Sequence, residues 1–201
     1  MNKIGVFGGT FDPVHYGHIH LAEQALNECK LSEVLVVPVK IQPFKQDQHP
    51  APATERFNMA KLAFAGRDNI SVSDVELKRN GISYTIDTLR EIKKTRGSDT
   101  VIAFILGADS FLKIEKWKGS DELLTDYSFI IGTRPGYRRE ELDSLISRLE
   151  KSYGTDVVTI KNKQIPASST GIKEMIKSGK SCKGIIPPDV ERYIHANGLY
   201  L

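Results

Sequence analysis

Two histidines three residues apart, His15 and His18, follow a Gly8-Gly9 pair in the run Gly-Gly-Thr-Phe-Asp-Pro-Val-His-Tyr-Gly-His. Imidazoles at that spacing lie on one face of a helical turn, so both can reach a single phosphoryl group. The run sits behind the apolar stretch Ile4-Gly5-Val6-Phe7 and ahead of an amphipathic one from Ile19 to Leu26. That order reads as a strand, a glycine turn and a helix start. Such a junction exposes backbone N–H groups and the positive end of a helix dipole, which together attract phosphate. Paired glycines would let the backbone approach a ligand without Cβ interference. The G-x-G-x-x-G spacing of dinucleotide-binding turns is absent, which argues against a simple NAD-dependent oxidoreductase.

A second segment, Pro166-Ala167-Ser168-Ser169-Thr170-Gly171-Ile172-Lys173, also looks like a helix start. Ser168 or Ser169 can cap it, Ile172, Met175 and Ile176 supply an apolar face, and Gly179 ends it. Taken alone, the segment is an ordinary capped helix with a solvated lysine. Beside a histidine turn on the same sheet edge, its hydroxyls and Lys173 become the second half of a clamp for a triphosphate.

The elements that must position these groups follow from the hydrophobic pattern. Strand-like runs recur at Lys3–Phe7, Glu33–Val39, Ile70–Val75, Thr100–Leu106, Tyr127–Gly132 and Asp156–Ile160. Several are almost wholly apolar, as strands covered on both faces are. Helical stripes lie between them: Ile19, Ala22 and Leu26; a helix capped by Thr54 and carrying Phe57, Leu62 and Ala63; Ile86, Leu89 and Ile92; Leu142, Ile146 and Leu149. Alternation of this kind predicts an α/β fold, a Rossmann-like doubly wound parallel sheet. Ligands bind such sheets beyond the carboxyl ends of the strands. Those positions hold Gly8 to His18, Pro38 to Lys45, Ser83 to Thr85, Gly107 to Asp109, Arg134 to Gly136 and Ser168 to Thr170.

With 201 residues, 40% of them hydrophobic, the chain is expected to form a single domain over 1–201, its helices from about 168 packed on the same core. A net charge of +3 is too small to point to nucleic acid or a membrane surface. Cys29 and Cys182 form no C-x-x-C pair, so a reduced, cytoplasmic setting is expected. A strand begins almost at the N-terminus and no apolar run approaches membrane-spanning length, so neither a signal peptide nor a membrane span is expected. Whether the chain forms a homo-oligomer is left open.

The opening run resembles the signature of the nucleotidyltransferase superfamily, in which Thr-Phe-Asp precedes His-x-Gly-His; here these are Thr10, Phe11, Asp12, His15, Gly17 and His18. Gly81-Ile82-Ser83-Tyr84-Thr85-Ile86-Asp87-Thr88-Leu89, Leu106-Gly107-Ala108-Asp109-Ser110 and Trp117 follow in order. In that combination the sequence resembles the bacterial nicotinate-nucleotide adenylyltransferases. The resemblance implies transfer of the adenylyl group of ATP to nicotinate mononucleotide, giving deamido-NAD and pyrophosphate. It assigns Gly8, Gly9, Thr10, Phe11, His15, His18, Asp109, Ser168, Ser169, Thr170 and Lys173 to ATP, and Lys45, Thr85 and Trp117 to the mononucleotide. His18, His15 and Lys45 would act on the reacting phosphates, and Mg²⁺ would ride on ATP with few protein ligands. Two departures stand out. Phe44 occupies the place of a frequent family histidine, and Lys173 that of an arginine, so the planar bidentate fork is missing there. Alternatives are the same chemistry on nicotinamide mononucleotide or another phosphorylated acceptor, and a non-catalytic nucleotide-binding module.

Overall fold

Each apolar run pairs with its neighbours to form one sheet. The computed structural model describes residues 2–43, 50–97, 99–133, 139–162 and 168–201. Strands β1 (Lys3–Gly9), β2 (Glu33–Pro38), β3 (Ile70–Val72), β4 (Val101–Gly107), β5 (Ser128–Thr133) and β6 (Val157–Lys161) lie in the order β3-β2-β1-β4-β5-β6. Every pairing is parallel, with Gly8 opposite Val37 and Val6 opposite Phe104.

Side chains alternate across the sheet, and both faces are buried. Phe7, Val34, Val36, Ala103, Ile105 and Ile130 point into one core, while Ile4, Val6, Leu35, Val37, Phe104 and Ile131 point into the other. This is why the central strands read as continuous apolar runs. On the first face lie α1 (Tyr16–Glu28), α2 (Ala53–Phe64), α8 (Ser169–Lys177) and α9 (Pro188–Ala196), which contribute Ile19, Met59, Ile172 and Ile194. The second is covered by α4 (Thr85–Arg96), α5 (Ala108–Phe111), α6 (Ser120–Asp126) and α7 (Arg139–Tyr153) through Leu89, Phe111, Leu123 and Leu149. The doubly wound α/β architecture expected from the pattern is the one observed. β1 and β4 are adjacent, and the chain winds away from them in opposite directions, so a crevice opens at their carboxyl ends.

Two local expectations need correction. The third strand stops at Val72, not Val75. Ser73 Oγ accepts from the Val75 N–H at 3.3 Å and turns the chain into the short helix α3 (Val75–Lys78). Thr54 does not cap α2, which begins at Ala53 behind Pro52 and has no side-chain cap. Proline fits there because its fixed φ suits a helix entry.

Candidate active site

Gly8 and Gly9 end β1, and the turn that follows is set by internal packing. A Cβ on Gly8 would stand 2.8 Å from the Phe104 ring, and one on Gly9 would stand 2.9 Å from the ring of Phe11. The close approach that these glycines permit in this structure is therefore to the protein's own rings. Phe11 takes a left-handed φ of 49° and is buried, edge-on to both Phe7 and His18. A nucleotide can meet this residue only through its backbone.

The two histidines begin α1 and serve as its capping box. His15 Nδ1 accepts from the Gly17 N–H at 3.1 Å, and His18 Nδ1 accepts from the His15 N–H at 3.3 Å. With Nδ1 of both rings acting as acceptor, the neutral rings carry their protons on Nε2. The rings stack with centroids 3.7 Å apart. His15 is only 4% exposed, whereas His18 is partly open. The pair thus divides into an inner imidazole that fixes the helix start and an outer one with solvent access.

Beneath the turn lies a polar knot. Asp12, 5% exposed, accepts from the Ala51 N–H at 3.0 Å and the Tyr200 hydroxyl at 2.6 Å on Oδ1, and from the Lys173 ammonium at 2.8 Å on Oδ2. Arg56, 1% exposed, donates to the carbonyls of Ala51, Thr10 and Lys40 at 2.9, 2.7 and 3.2 Å. Burial lowers the Arg56 pKa from its ordinary value, and the Asp12 charge opposes that shift. Thr10 donates its hydroxyl to Gln42 Oε1 at 2.9 Å, which ties the turn to the loop after β2. In α8, Ser168 Oγ caps the Gly171 N–H at 3.1 Å, and Ser169 donates to the Pro13 carbonyl at 3.2 Å. Thr170 is exposed. The start of α8 therefore abuts the glycine–histidine turn directly, with Lys173 paired to Asp12.

Desolvation, followed by the bond to Asp12, raises the pKa of Tyr200 far above the usual phenol range. The folded protein keeps this proton where the unfolded chain releases it, near pH 10 by ordinary tyrosine values. The resulting stability is fully present below about pH 10 and is lost as pH rises further. Wild-type stability should therefore fall more steeply than that of Tyr200→Phe above that pH, by up to about 1.4 kcal/mol per pH unit. Urea midpoints measured from pH 9 to 11 check this, and parallel curves would refute it.

A cavity of about 540 Å³ opens at the carboxyl ends of β1, β2 and β4 and unites Gly8, Gly9 and Thr10 with Thr85 and Trp117. Thr85 is the first residue of α4, and Tyr84 at its N-cap makes no side-chain cap bond. Trp117 is half-buried, edge-on to Phe104 with centroids 6.1 Å apart, after a 3₁₀ turn over Ile114–Lys116. Lys118 lies 4.4 Å from the centre of the Tyr84 ring and pairs with Asp87. Behind this wall the Thr88 hydroxyl donates to Glu76 and accepts from Arg79, both at 2.7 Å. Asp109 is exposed in the first turn of α5, whose N-cap Gly107 and neighbour Ser110 line the cavity. Lys45 and Arg134 to Gly136 lie outside the described residues.

Sequence reasoning gives Arg56 and Tyr200 no role, and the knot they form has no local signature. For Arg56 a signal existed. It opens the i, i+3, i+4, i+7, i+8 buried stripe of α2 with Met59, Ala60, Ala63 and Phe64, a place where arginine needs a reason.

The cytidylyltransferase-like family matches residues 6–175. A Thermoanaerobacter sp. protein named "probable nicotinate-nucleotide adenylyltransferase" is 39% identical, covering 98% of this chain and 94% of its own. A Halalkalibacterium halodurans protein of the same name is also 39% identical, covering 100% and 92%. The solved structure of Plasmodium falciparum nicotinic acid mononucleotide adenylyltransferase complexed with NaAD superposes with a TM-score of 0.81 at 22% identity, covering 100% of this chain and 98% of that one. At that identity the likeness carries the fold. The sequence matches run nearly end to end and include both helix starts and the cavity wall, so the chain belongs to the cytidylyltransferase-like family, among the nicotinate-nucleotide adenylyltransferases.

Proposed function

We propose that this protein transfers the adenylyl group of ATP to nicotinate mononucleotide, releasing pyrophosphate and forming deamido-NAD. The observation that carries this reading is one cavity with two chemistries. At one end lie Gly8, Gly9 and Thr10, and at the other the head of α4 and the indole of Trp117. A phosphate oxygen of the mononucleotide attacks the α-phosphorus of ATP, and the bond to the pyrophosphate oxygen breaks. The nucleophile is already an anion, so no general base or covalent intermediate is needed. Catalysis is positioning and neutralisation of developing charge. His18 donates Nε2–H to the α-phosphate, and His15 holds the helix start behind it. The backbone from Gly8 to Phe11 and the α8 start, with Ser168, Ser169, Thr170 and Lys173, accommodate the remaining phosphates. Asp109 takes a ribose hydroxyl, and Lys45 is assigned to neutralise phosphate charge.

On the acceptor side, Trp117 stacks on the pyridine ring. The positive end of α4 and the lysines at positions 116 and 118 favour a carboxylate over a carboxamide. Mg²⁺ accompanies ATP in this reading. Among the described residues no group of three or more His, Cys, Asp or Glu side chains is placed to hold an ion, and Asp12 is committed to three donors. With Asp12 so committed, a metal would be carried on the phosphates, where it would neutralise charge on the leaving pyrophosphate. No described helix is long and apolar enough to cross a membrane. Both cysteines are free thiols, which supports work in a reducing cytoplasm.

Pyrophosphate release from ATP and Mg²⁺ with nicotinate mononucleotide, or with its amide, tests the reading. Turnover is expected with both, faster with the acid. No release with either would sink it, and faster turnover of the amide would overturn the role given to α4 and its lysines.

A further inference from the structure

We infer that Tyr200 is a positioning residue for adenylyl transfer: through Asp12 it holds the phosphate-facing turn and keeps the Lys173 ammonium at the edge of the site. The inference rests on the reaction proposed above. Asp12 follows Phe11 directly, in the turn that the proposed reaction places against the phosphates, and its carboxylate is nearly buried. A bare anion there would oppose incoming phosphates, so its charge must be met from the protein side. Tyr200 and the Ala51 N–H share Oδ1, which leaves Lys173 on Oδ2 alone. The Lys173 side chain is 36% exposed against 7% for Asp12, so the ammonium still has an open side.

Tyr200 supplies its bond without adding charge, and its ring underlies the same ammonium at 5.9 Å. The residue is held for this task by the chain after α9. The Leu199 N–H bonds back to the Ile194 carbonyl at 3.0 Å, and Tyr200 takes a left-handed φ of 63°. A tyrosine adopts that conformation at a cost, and here its hydroxyl meets a carboxylate 188 positions away. Without the hydroxyl, Oδ1 keeps only one donor. The ammonium can then slide to straddle both oxygens, away from the phosphates, and the turn loosens. The effect should fall on ATP, because the mononucleotide end of the cavity is built from other elements.

Full-length Tyr200→Phe, Asp12→Asn and the double variant separate this from a purely structural role. Three measurements are needed: steady-state pyrophosphate release with each substrate varied in turn, calorimetric Kd for a non-hydrolysable ATP analogue, and Tm. For Tyr200→Phe we expect KM for ATP and the analogue Kd to rise about five- to tenfold, with KM for the mononucleotide changed by less than about twofold. Asp12→Asn should show the same bias, and the double variant should be no worse for ATP than Asp12→Asn within about twofold, because both act through one carboxylate. The inference is overturned if ATP affinity is unchanged in Tyr200→Phe, if both substrates suffer alike with a fall in Tm, or if the two effects multiply. Failure of both single variants to fold would assign the contact to folding alone and overturn it too. Absence of turnover in the wild type would fault the proposed reaction, while the analogue Kd still reports on Tyr200.

Discussion

Replacing His18 with asparagine lowers kcat by about 100-fold or more, close to 2.7 kcal/mol of lost transition-state stabilisation, and leaves the fold standing. Asparagine is chosen because its side-chain oxygen reaches the position of Nδ1, which accepts the His15 N–H at 3.3 Å. It therefore keeps the cap and deletes the Nε2–H. Alanine removes both. It should cost a further 1 kcal/mol or so of stability from the unmade cap, along with the stacking on His15 at 3.7 Å and the edge contact with Phe11 at 5.0 Å. If the bond to the α-phosphate forms only as charge develops there, kcat and kcat/KM fall together while KM for either substrate stays nearly flat. Steady-state kinetics on His18→Asn and His18→Ala, read beside their melting curves, decide the matter. Near-normal kcat in His18→Asn would move the reacting phosphate elsewhere. The parallel change at His15 is expected to show mainly in stability, since that ring is buried and its Nδ1 caps Gly17.

The difference between these histidines marks where sequence reasoning stops. Their spacing and setting at a helix start were legible, because residue type and local periodicity carry that information. Both rings cap, but which one is buried and which is partly open depends on Phe11, whose left-handed backbone turns an apolar ring under His18, and on how the turn packs. The sheet was legible because strands buried on both faces leave long apolar runs. Helices α3 and α6 were not, since four and seven residues are too short to display a helical period. Long-range polar pairing was the least visible part. Asp12 reads locally as a residue before proline, and Lys173 as a cation for phosphate. Their contact joins positions 161 apart, and nothing near either residue announces it. The glycine pair shows the converse case. Its importance was plain, but in this structure the close neighbours are Phe104 and Phe11.

Arg56→Ala should be the most destabilising single change near the site, costing about 3–5 kcal/mol and lowering Tm by roughly 10 °C in a chain of this size. The guanidinium is 1% exposed and holds three carbonyls, from Ala51, Thr10 and Lys40, that no other described side chain serves. Removal strips those part-buried acceptors of their donors and opens a void on the buried stripe that Arg56 shares with Met59 and Ala60. Lysine does not repair this. Its single nitrogen cannot span carbonyls on three separate segments as a planar fork does. Methionine fills part of the volume and should recover some Tm without restoring the turn. A kinetic consequence follows from the identity of the acceptors. Thr10 belongs to the glycine turn and Lys40 to the loop after β2, so Arg56 sets the width of the crevice between them. Arg56→Met should therefore raise KM for ATP even at temperatures where it is fully folded. Calorimetric melting of the three variants, with ATP kinetics well below each Tm, separates the two effects. Were Arg56→Ala to melt within about 2 °C of wild type, the three carbonyls would have to be finding other donors, and the buried guanidinium would not be what holds the crevice together.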